Sequence, residues 1–488
     1  MRMALQQSEK RREIILYSMI LWMVVILLSQ IVFLFTSEKV SANDEKGPST
    51  LSDLILIDEA AFNEFVEEIK EGFEHLFKAQ TFGSIQKPFT DSILNPNNDI
   101  LFIPRYTAIL ELRPDFSLNY RRLKLNFKPR LNISWQHWKE GSQKGESQKD
   151  VERFVNEWLA SLKLAEELFI SYGRENLQWG PSFLISPSNP FFRETGRSNP
   201  KREVPGMDFA RLVWLYNPSF TISFIANVDK GRQNFSRPFP FEPTYALKFD
   251  YTTKRKYFSI IASYQESYEN WPVPNDRMSL GGYAGWTVSD ALLLYGEGTV
   301  TIGTNVLYPE KIELGPGEGY IILMGPTKAD SSIPKGTLLV GGSYTFKWGS
   351  TVGLEYVFNS PGYTKEGAEL YFELHERTSA VFLNTTGRIQ DITGQLLTVS
   401  LNTGLRLLRQ NYLMFQYAHP QLWDVLNIVS RFVYNIDDHS YILSPIIEYN
   451  FWKHFQIFLI GSKNFGSKRS EFGSIVGYGW MLGLEYTF

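Results

Sequence analysis

The chain of 488 residues contains no cysteine, and this absence excludes several kinds of site at once. Without cysteine there is no disulfide, no thiolate metal centre, no c-type haem attachment and no lipid anchor on a cysteine. The charge is also nearly balanced, with 49 basic and 52 acidic residues, so overall charge gives no reason to expect a nucleic-acid partner. What is abundant is aromatic: 25 Tyr and 36 Phe contribute to an aromatic content of 15%.

Recognisable catalytic and metal-binding patterns are also missing. The six histidines do not form HExxH or another metal-ligand spacing. No Gly-rich phosphate loop is present, and no Ser/His or Asp/His set stands out as the machinery of a hydrolase. We therefore predict that the protein is not an enzyme, and we predict no catalytic residue, no metal and no cofactor.

Long apolar runs are confined to the N-terminus. Lys10, Arg11 and Arg12 precede an almost wholly apolar stretch over residues 14–35, and Val40-Ser41-Ala42 offers a small-residue cleavage site. This order is typical of an export signal, and we predict a signal peptide over residues 1–42. The alternative is a retained helix, since about 20 apolar residues can also span a membrane.

The clearest pattern in the chain is the alternation between Arg122 and Gln136. Leu123, Leu125 and every second residue onward to Trp135 are apolar, whereas the residues between them are polar and four are cationic. Residues 105–119 alternate in the same way, with one exception. Successive side chains of a strand point to opposite faces, so the two stretches predict a long hairpin with one apolar and one charged face. A hairpin in a soluble β-sandwich is the alternative interpretation.

The C-terminus favours a membrane barrel over a sandwich. From Val476 to Phe488 every second residue is apolar. A last strand that ends on Phe resembles the assembly signal of bacterial outer-membrane β-barrels. The resemblance implies that Tyr486 and Phe488 are recognised by the barrel-assembly machinery, and that the protein resides in the outer membrane of a Gram-negative cell, in contact with its lipid.

We predict an all-β fold, an antiparallel transmembrane β-barrel over residues 100–488. Strands can span lipid only in a closed sheet, because an open edge leaves backbone groups unpaired. Nineteen candidate strands can be found, including segments 367–375 and 395–406. Barrels of this kind usually have an even number of strands, so we expect 16 or 18.

Residues 43–99 differ from the rest of the chain. Between Glu59 and Gln80 large apolar side chains recur every three or four residues, which predicts an amphipathic helix. We assign residues 43–99 to a periplasmic helical segment or plug. A docking surface for a periplasmic protein partner is a further hypothesis for this segment.

The segment Tyr172 to Phe192 is the most distinctive connection. It contains Gly173-Arg174 and Trp179-Gly180-Pro181 and resembles a "GRQ…WG" hairpin of porin-like and polysaccharide-export barrels, alginate exporters among them, although Glu175 stands where Gln is usual. The resemblance favours residues 177–206 as a loop that folds inward and narrows a pore. The alternative is a rigid loop whose Trp and Pro merely pack.

Charged residues on the polar face of the first hairpin, together with those near the long loop, are the candidate pore-lining set. The set comprises Arg105, Glu111, Arg113, Arg122, Lys124, Lys128, Arg130, Arg174, Arg193 and Arg197. Several cations along a low-dielectric pore attract anions. The alternative is that these cations pair with carboxylates of other strands and only stabilise the interior.

These observations predict a passive outer-membrane channel, porin-like, whose solutes are small and, if the cations line one lumen, anionic; an anionic saccharide is one candidate. The alternative is the barrel of an envelope complex, such as polysaccharide export or a sheath for electron transfer.

Overall fold

A computed structural model describes most of the chain beyond the N-terminal segment. The described residues are 67–192, 199–235, 240–266, 277–303, 306–315, 317, 319–325 and 333–488. The predicted signal peptide, and the predicted helical segment as far as residue 66, lie outside the described residues.

Eighteen antiparallel strands form one closed sheet. Each strand pairs with the next along the chain, β11 pairs with β14, and β20 pairs back with β1, so the described sheet has no free edge. A separate hairpin, β12–β13, lies between β11 and β14 in sequence. The strands are β1 (Phe73–Pro88), β2 (Tyr106–Tyr120), β3 (Leu123–His137), β4 (Ser147–Ala165), β5 (Leu168–Glu175), β6 (Met207–Asn217), β7 (Phe220–Asp229), β8 (Thr244–Thr252), β9 (Lys256–Gln265), β10 (Arg277–Thr287), β11 (Leu292–Ile302), β12 (Tyr308–Gly315), β13 (Gly319–Gly325), β14 (Lys335–Thr345), β15 (Thr351–Asn359), β16 (Asn411–Leu422), β17 (Leu426–Asn435), β18 (Tyr441–Trp452), β19 (Phe455–Phe465) and β20 (Val476–Thr487).

The outer wall of this barrel is apolar, as the alternation predicted. Leu110 and Ile133 of β2 and β3 pair across the hairpin and are both exposed on the outside, whereas Glu111 and Asn132, also paired, lie on the inner face. A closed sheet with an apolar outside satisfies all its ladder hydrogen bonds and can be solvated by lipid. The predicted all-β antiparallel barrel is confirmed, with 18 strands.

The two ends of the barrel differ in their connections. At one end the turns are two to five residues long, and both β1 and β20 have their terminal ends there. The other end carries the longer loops, apart from residues 436–440. Exposed aromatic side chains surround the short-turn end: Trp214, Tyr216, Trp286, Tyr344, Trp348, Trp423, Trp452 and Phe488. Such a girdle marks a membrane–water interface, and short turns are typical of the periplasmic side.

The predicted helix from Glu59 to Gln80 is wrong in its second half. The described part of it is helical only over residues 67–72, and Phe73 begins β1, which pairs with β2 and β20. The barrel therefore begins before residue 100. Phe82 lies on the inner face against Phe458, so both faces of β1 carry apolar side chains, and this obscures the two-residue period.

Two predicted strands, 367–375 and 395–406, are wrong. Residues Lys365–Asn384 form helix α1 and Arg388–Leu401 form helix α2, within the connection from β15 to β16. Thr364 caps α1, since its side chain accepts a hydrogen bond from Gly367 N. The buried residues of α1 recur at helical spacing but include the polar His375 and Ser379, and Glu369 to His375 alternates in part, which favours a strand.

Helix α1 spans the loop end of the barrel from β15 towards β1. Near its start Tyr363 and Tyr371 lie in an apolar cluster with Val306 and Leu94. Near its end Ser379 Oγ donates to Ile93 O at 2.6 Å, in the connection between β1 and β2. We call α1, α2 and the β12–β13 hairpin the cap. No helix among the described residues has the length and apolarity of a membrane span.

Candidate functional site

The long connection between β5 and β6 folds into the barrel and is held there by the carboxylate of Glu297. Glu297, on the inner face of β11, accepts hydrogen bonds from the hydroxyls of Ser182, Ser186 and Ser188, at 2.6 Å from Ser186 and 2.7 Å from Ser188. Ser188 N donates to the same carboxylate at 3.1 Å. Hydrogen bonds to an ionised acceptor are the strong ones, so this clasp fixes the middle of the loop.

The Trp-Gly-Pro motif makes this clasp sterically feasible. Gly180 has φ +84°, and a Cβ there would lie 2.3 Å from a carboxylate oxygen of Glu297. Trp179 packs edge-on against Phe191, within an apolar cluster that also contains Phe209 and Ile261 of the barrel wall. Glycine is therefore needed at position 180 both for its backbone conformation and for the close approach.

A second carboxylate, Glu355 of β15, holds the next part of the loop. It accepts hydrogen bonds from Phe183 N at 2.7 Å and Leu184 N at 3.0 Å, and from the hydroxyl of Tyr295 at 2.8 Å. Ile185 then enters an apolar cluster with Leu339 and Val357 on the inner wall. The loop is thus anchored on β11, β14 and β15.

The end of the loop reaches the opposite side of the barrel. Lys201 Nζ lies 3.2 Å from Glu448 and 3.3 Å from Glu485, on β18 and β20. Glu203 receives a two-pronged pair of hydrogen bonds from Arg130 of β3, at 2.7 and 2.6 Å. The described part of the loop therefore crosses the lumen from β11 and β15 to β18, β20 and β3.

A cavity of about 180 Å³ remains between the loop and the wall formed by β2, β3 and β4. Its charged lining has four guanidinium groups and three carboxylates, an excess of one positive charge, and Asn132, Phe154 and Asn156 complete the wall. The charged residues are Arg113, Arg130, Arg202, Arg232, Glu111, Glu152 and Glu203. We call this the lumen cavity.

Three residues of the sequence-predicted set line the lumen cavity: Glu111, Arg113 and Arg130. Arg113 pairs with Glu111, and Arg130 Nη2 lies 2.8 Å from Asp115 as well as 2.6 Å from Glu203. Beside the cavity, Lys128 pairs with Glu157 at 2.7 Å. These pairs correspond to the alternative interpretation, in which the cations pair with carboxylates.

The remaining predicted residues lie elsewhere. Arg105 pairs with Glu140 towards the loop end, and Arg174 Nε lies 2.7 Å from Asp208. Arg122 and Lys124 are exposed near the turn between β2 and β3, at the short-turn end of the barrel. Arg193 and Arg197 lie outside the described residues.

Several residues of the site carried no recognisable signal in the sequence. Glu203 stands in a mixed charged run that usually marks a solvated loop, and Glu152 and Arg232 come from β4 and from the connection after β7. The one departure visible in the sequence is Glu175, which stands where the resembled hairpin has Gln. Its carboxylate lies 2.8 Å from Arg211 Nε on β6. Tyr486 and Phe488 end the barrel, where Phe488 and Phe77 exchange two backbone hydrogen bonds.

No family model and no curated protein matches the chain. Among solved structures it is similar to OccK7 (OpdD) of Pseudomonas aeruginosa, with a TM-score of 0.47 and 11% identity over 85% of this chain and 98% of that one. It is also similar to OccAB1 of Acinetobacter baumannii, with a TM-score of 0.49 and 11% identity over 85% and 96% of the two chains. A structure of P. aeruginosa OpdK with vanillate gives a TM-score of 0.48 and 11% identity over 86% and 99%.

Proposed function

We propose that the protein is a passive outer-membrane channel for small polar solutes, narrowed by the loop between β5 and β6. The observation that carries the proposal is the lumen-crossing loop, anchored on both sides, with a charged cavity beside it. A barrel of 18 strands is wide enough to hold an aqueous lumen, and a fixed loop inside it sets a size limit without chemistry or a cofactor.

The lining favours a weak preference for anions. Most of its charges are already paired, as Arg113 is with Glu111, and only one positive charge is in excess. Charges in a narrow, low-dielectric passage act on a passing ion through their net value, because paired charges cancel at a distance. A small anionic solute, such as an acidic saccharide, would therefore enter slightly more easily than a cation of equal size.

The test is single-channel conductance of refolded protein in planar bilayers, with the reversal potential measured in a salt gradient. We expect discrete steps with a modest anion preference. Glu203→Gln removes one carboxylate from the lumen cavity and raises the anion preference, whereas Arg232→Gln lowers it. Glu167→Gln, in the exposed turn between β4 and β5, is the control for loss of a carboxylate and leaves the ratio near that of the unaltered protein.

The possible outcomes separate two parts of the proposal. Absence of steps in protein shown to be folded would refute the channel. If the Glu203→Gln and Arg232→Gln variants both keep the ion selectivity of the unaltered protein, the role of the lumen cavity is refuted. The ion path would then lie elsewhere in the barrel.

A further inference from the structure

Five lysines and arginines lie on the outside of six neighbouring strands, β19, β20 and β1–β4, in the half of the wall nearer the loop end. Partners in an antiparallel pair share a face, so the pairings identify the outward row of each strand. The five are Lys463 of β19, Lys87 of β1, Lys139 just after β3, and Lys149 and Arg153 of β4. All of them are exposed, and we call them the cation belt.

The cations of the belt alternate with aromatic rings around the wall. Tyr478 of β20 is paired with Lys463 on one side and with Lys87 on the other. The ammonium of Lys463 lies 5.6 Å from the ring centre of Tyr478 and 5.5 Å from that of Phe465. Aromatic rings and long cationic side chains of this kind are typical of the lipid–water boundary.

The same arrangement continues on β2 to β4. The ammonium of Lys139 lies 5.0 Å from the ring centre of Tyr106 at the start of β2. Lys149 is paired with Trp135 of β3, and Arg153 stands in the same outward row as Lys149. The belt therefore runs across all six strands without an interruption by another kind of surface.

The belt has no counter-charge in the described part of the chain. None of its cations forms an ion pair there, and the outward rows of the six strands contain no Asp or Glu. The inner face of the same strands is the opposite case, since Arg113 pairs with Glu111 and Lys128 with Glu157. Cations inside the barrel are thus neutralised by the chain itself, whereas those outside require anions from the surroundings.

The belt occupies one side of the barrel. In the described barrel strands from β7 to β18, the outward rows hold one lysine or arginine, Lys256, which lies at the short-turn end. On β5, next to the belt, Arg174 is neutralised by Asp208. A general need for a hydrated rim would distribute cations around the whole barrel mouth, so their restriction to one sector indicates a local ligand.

We propose that the cation belt binds phosphorylated lipid headgroups in the membrane leaflet at the loop end of the barrel. Long cationic side chains extend along an apolar wall and bring their charge to the level of the headgroups. Phosphate oxygens accept strong hydrogen bonds from ammonium and guanidinium groups, and neighbouring cations together attract anionic lipid. The inference rests on the membrane location that the proposed function assumes, and it adds a specific lipid environment for one side of the barrel.

The test is electron spin resonance of spin-labelled lipids with refolded protein in phosphatidylcholine vesicles. Lipids in contact with the barrel give a motionally restricted signal. The size of this signal with spin-labelled phosphatidic acid, which carries a phosphate headgroup, is divided by its size with spin-labelled phosphatidylcholine. The belt variant combines Lys87→Gln, Arg153→Gln and Lys463→Gln.

Two further variants serve as controls. The first combines Lys230→Gln, Lys365→Gln and Arg388→Gln, which removes the same charge from exposed positions in the loops and the cap. The second keeps the charge of the belt, with arginine at 87 and 463 and lysine at 153. The heat-dependent gel shift of a folded barrel is recorded for every variant, so that a folding defect is recognised.

We expect several-fold more restricted phosphatidic acid than phosphatidylcholine in the unaltered protein and in both controls, and a ratio lower by about half or more in the belt variant. A ratio of one in the unaltered protein, or equal ratios in the belt variant and the first control, would overturn the inference. Absence of a restricted signal with both lipids would overturn the membrane location as well, and the proposed function with it. The expected ratios without conductance steps would refute the channel alone.

Discussion

Glu297 has a position in the barrel that no other described acid shares, because three serine hydroxyls and one backbone N–H of the loop converge on it. The side chain is only 2% exposed, so truncating it leaves these donors unpaired in a buried place. Its carboxylate determines where the loop lies across the lumen.

Glu297→Ala is expected to destabilise the loop and to give larger, noisier conductance steps. Loss of hydrogen bonds to a buried charged group costs about 3 kcal/mol, which is enough to let the loop leave its position for part of the time. The control is Leu294→Ala on the outward face of the same strand, for which we expect unchanged steps. Quiet steps of unaltered size in Glu297→Ala would show that Glu355 and the apolar contacts suffice.

A second residue-scale feature is the buried histidine of the cap. His375 Nδ1 lies 2.8 Å from Tyr371 O and Nε2 lies 2.9 Å from Ser400 Oγ. Burial lowers the pKa of His375 from 6.5 to about 4. The unfolded chain therefore binds a proton at His375 below pH 6.5, whereas the folded cap binds it only below about pH 4. The contribution of His375 to the free energy of unfolding is present above pH 6.5 and is lost as the pH falls from 6.5 to 4.

Glu471, in the connection between β19 and β20, acts in the opposite direction. Burial is the largest influence on it and raises the pKa of its carboxyl from 4.5 to about 7, against the hydrogen bonds that it accepts from Leu408 N, Tyr412 and Asn435. The folded protein retains this proton up to about pH 7, whereas the unfolded chain releases it at about pH 4.5. Stability from Glu471 is therefore lost as the pH rises.

The contribution of His375 is removed in His375→Gln. In the unaltered protein we expect the local stability of α1 and α2 to fall by up to about 3 kcal/mol as the pH falls from 6.5 to 4, because only the unfolded helices then gain the proton. In the variant we expect no such fall. Hydrogen exchange of helix amides, corrected for the intrinsic pH dependence, measures both profiles; identical profiles would contradict the assignment to His375.

The residues of the lumen cavity differ in how far the sequence alone predicts them. Arg113 and Arg130 were found because strand alternation fixes the face of every residue in β2 and β3. Their partner Glu203 was not found as a partner, because it lies 73 residues from Arg130 and meets it only through the path of the loop. Alternation within a strand carries no information about such distant pairs.

At the scale of elements, a strand or helix could be predicted from the sequence when one of its faces is apolar and the other polar. β2, β3 and β20 have one apolar and one polar face and were found. β1 has Phe82 packed inside the barrel, so its inner row is not wholly polar and the alternation is weaker than in β2. Helix α1 was misassigned because a buried His375 and Ser379 replace apolar residues on its inner face, which weakens the helical period.

Thr81→Pro distinguishes the two interpretations of the segment around β1. Thr81 pairs with Leu110 on one side and Leu484 on the other, so a proline at this central position removes a ladder hydrogen bond at a cost of about 3 kcal/mol or more. We expect the variant to lose the heat-dependent gel shift of a folded barrel, whereas Thr81→Ala keeps it. If residues up to 80 were a peripheral helix, proline at 81 would be harmless, and a normal shift would contradict the strand.

At the scale of the whole molecule, assembly in the cell and stability of the finished barrel are separable. The backbone of Phe488 bonds with Phe77 whatever side chain position 488 carries. If the terminal side chain is an assembly signal, Phe488→Ala lowers the amount of barrel in the outer membrane several-fold but leaves refolding of the purified chain intact. The gel shift after refolding and the yield in membranes measure the two; equal loss in both would indicate a structural role instead.

The pairing of β1 with β20 has a genetic consequence. The first and last strands of the described sheet are partners, so the barrel wall is incomplete until the twelve residues of β20 have been made. A nonsense codon just before Val476 removes one strand and leaves two edges, on β1 and β19, that lipid cannot satisfy. Early and late stop codons should therefore have the same null phenotype, and the gene should yield no series of graded truncation alleles.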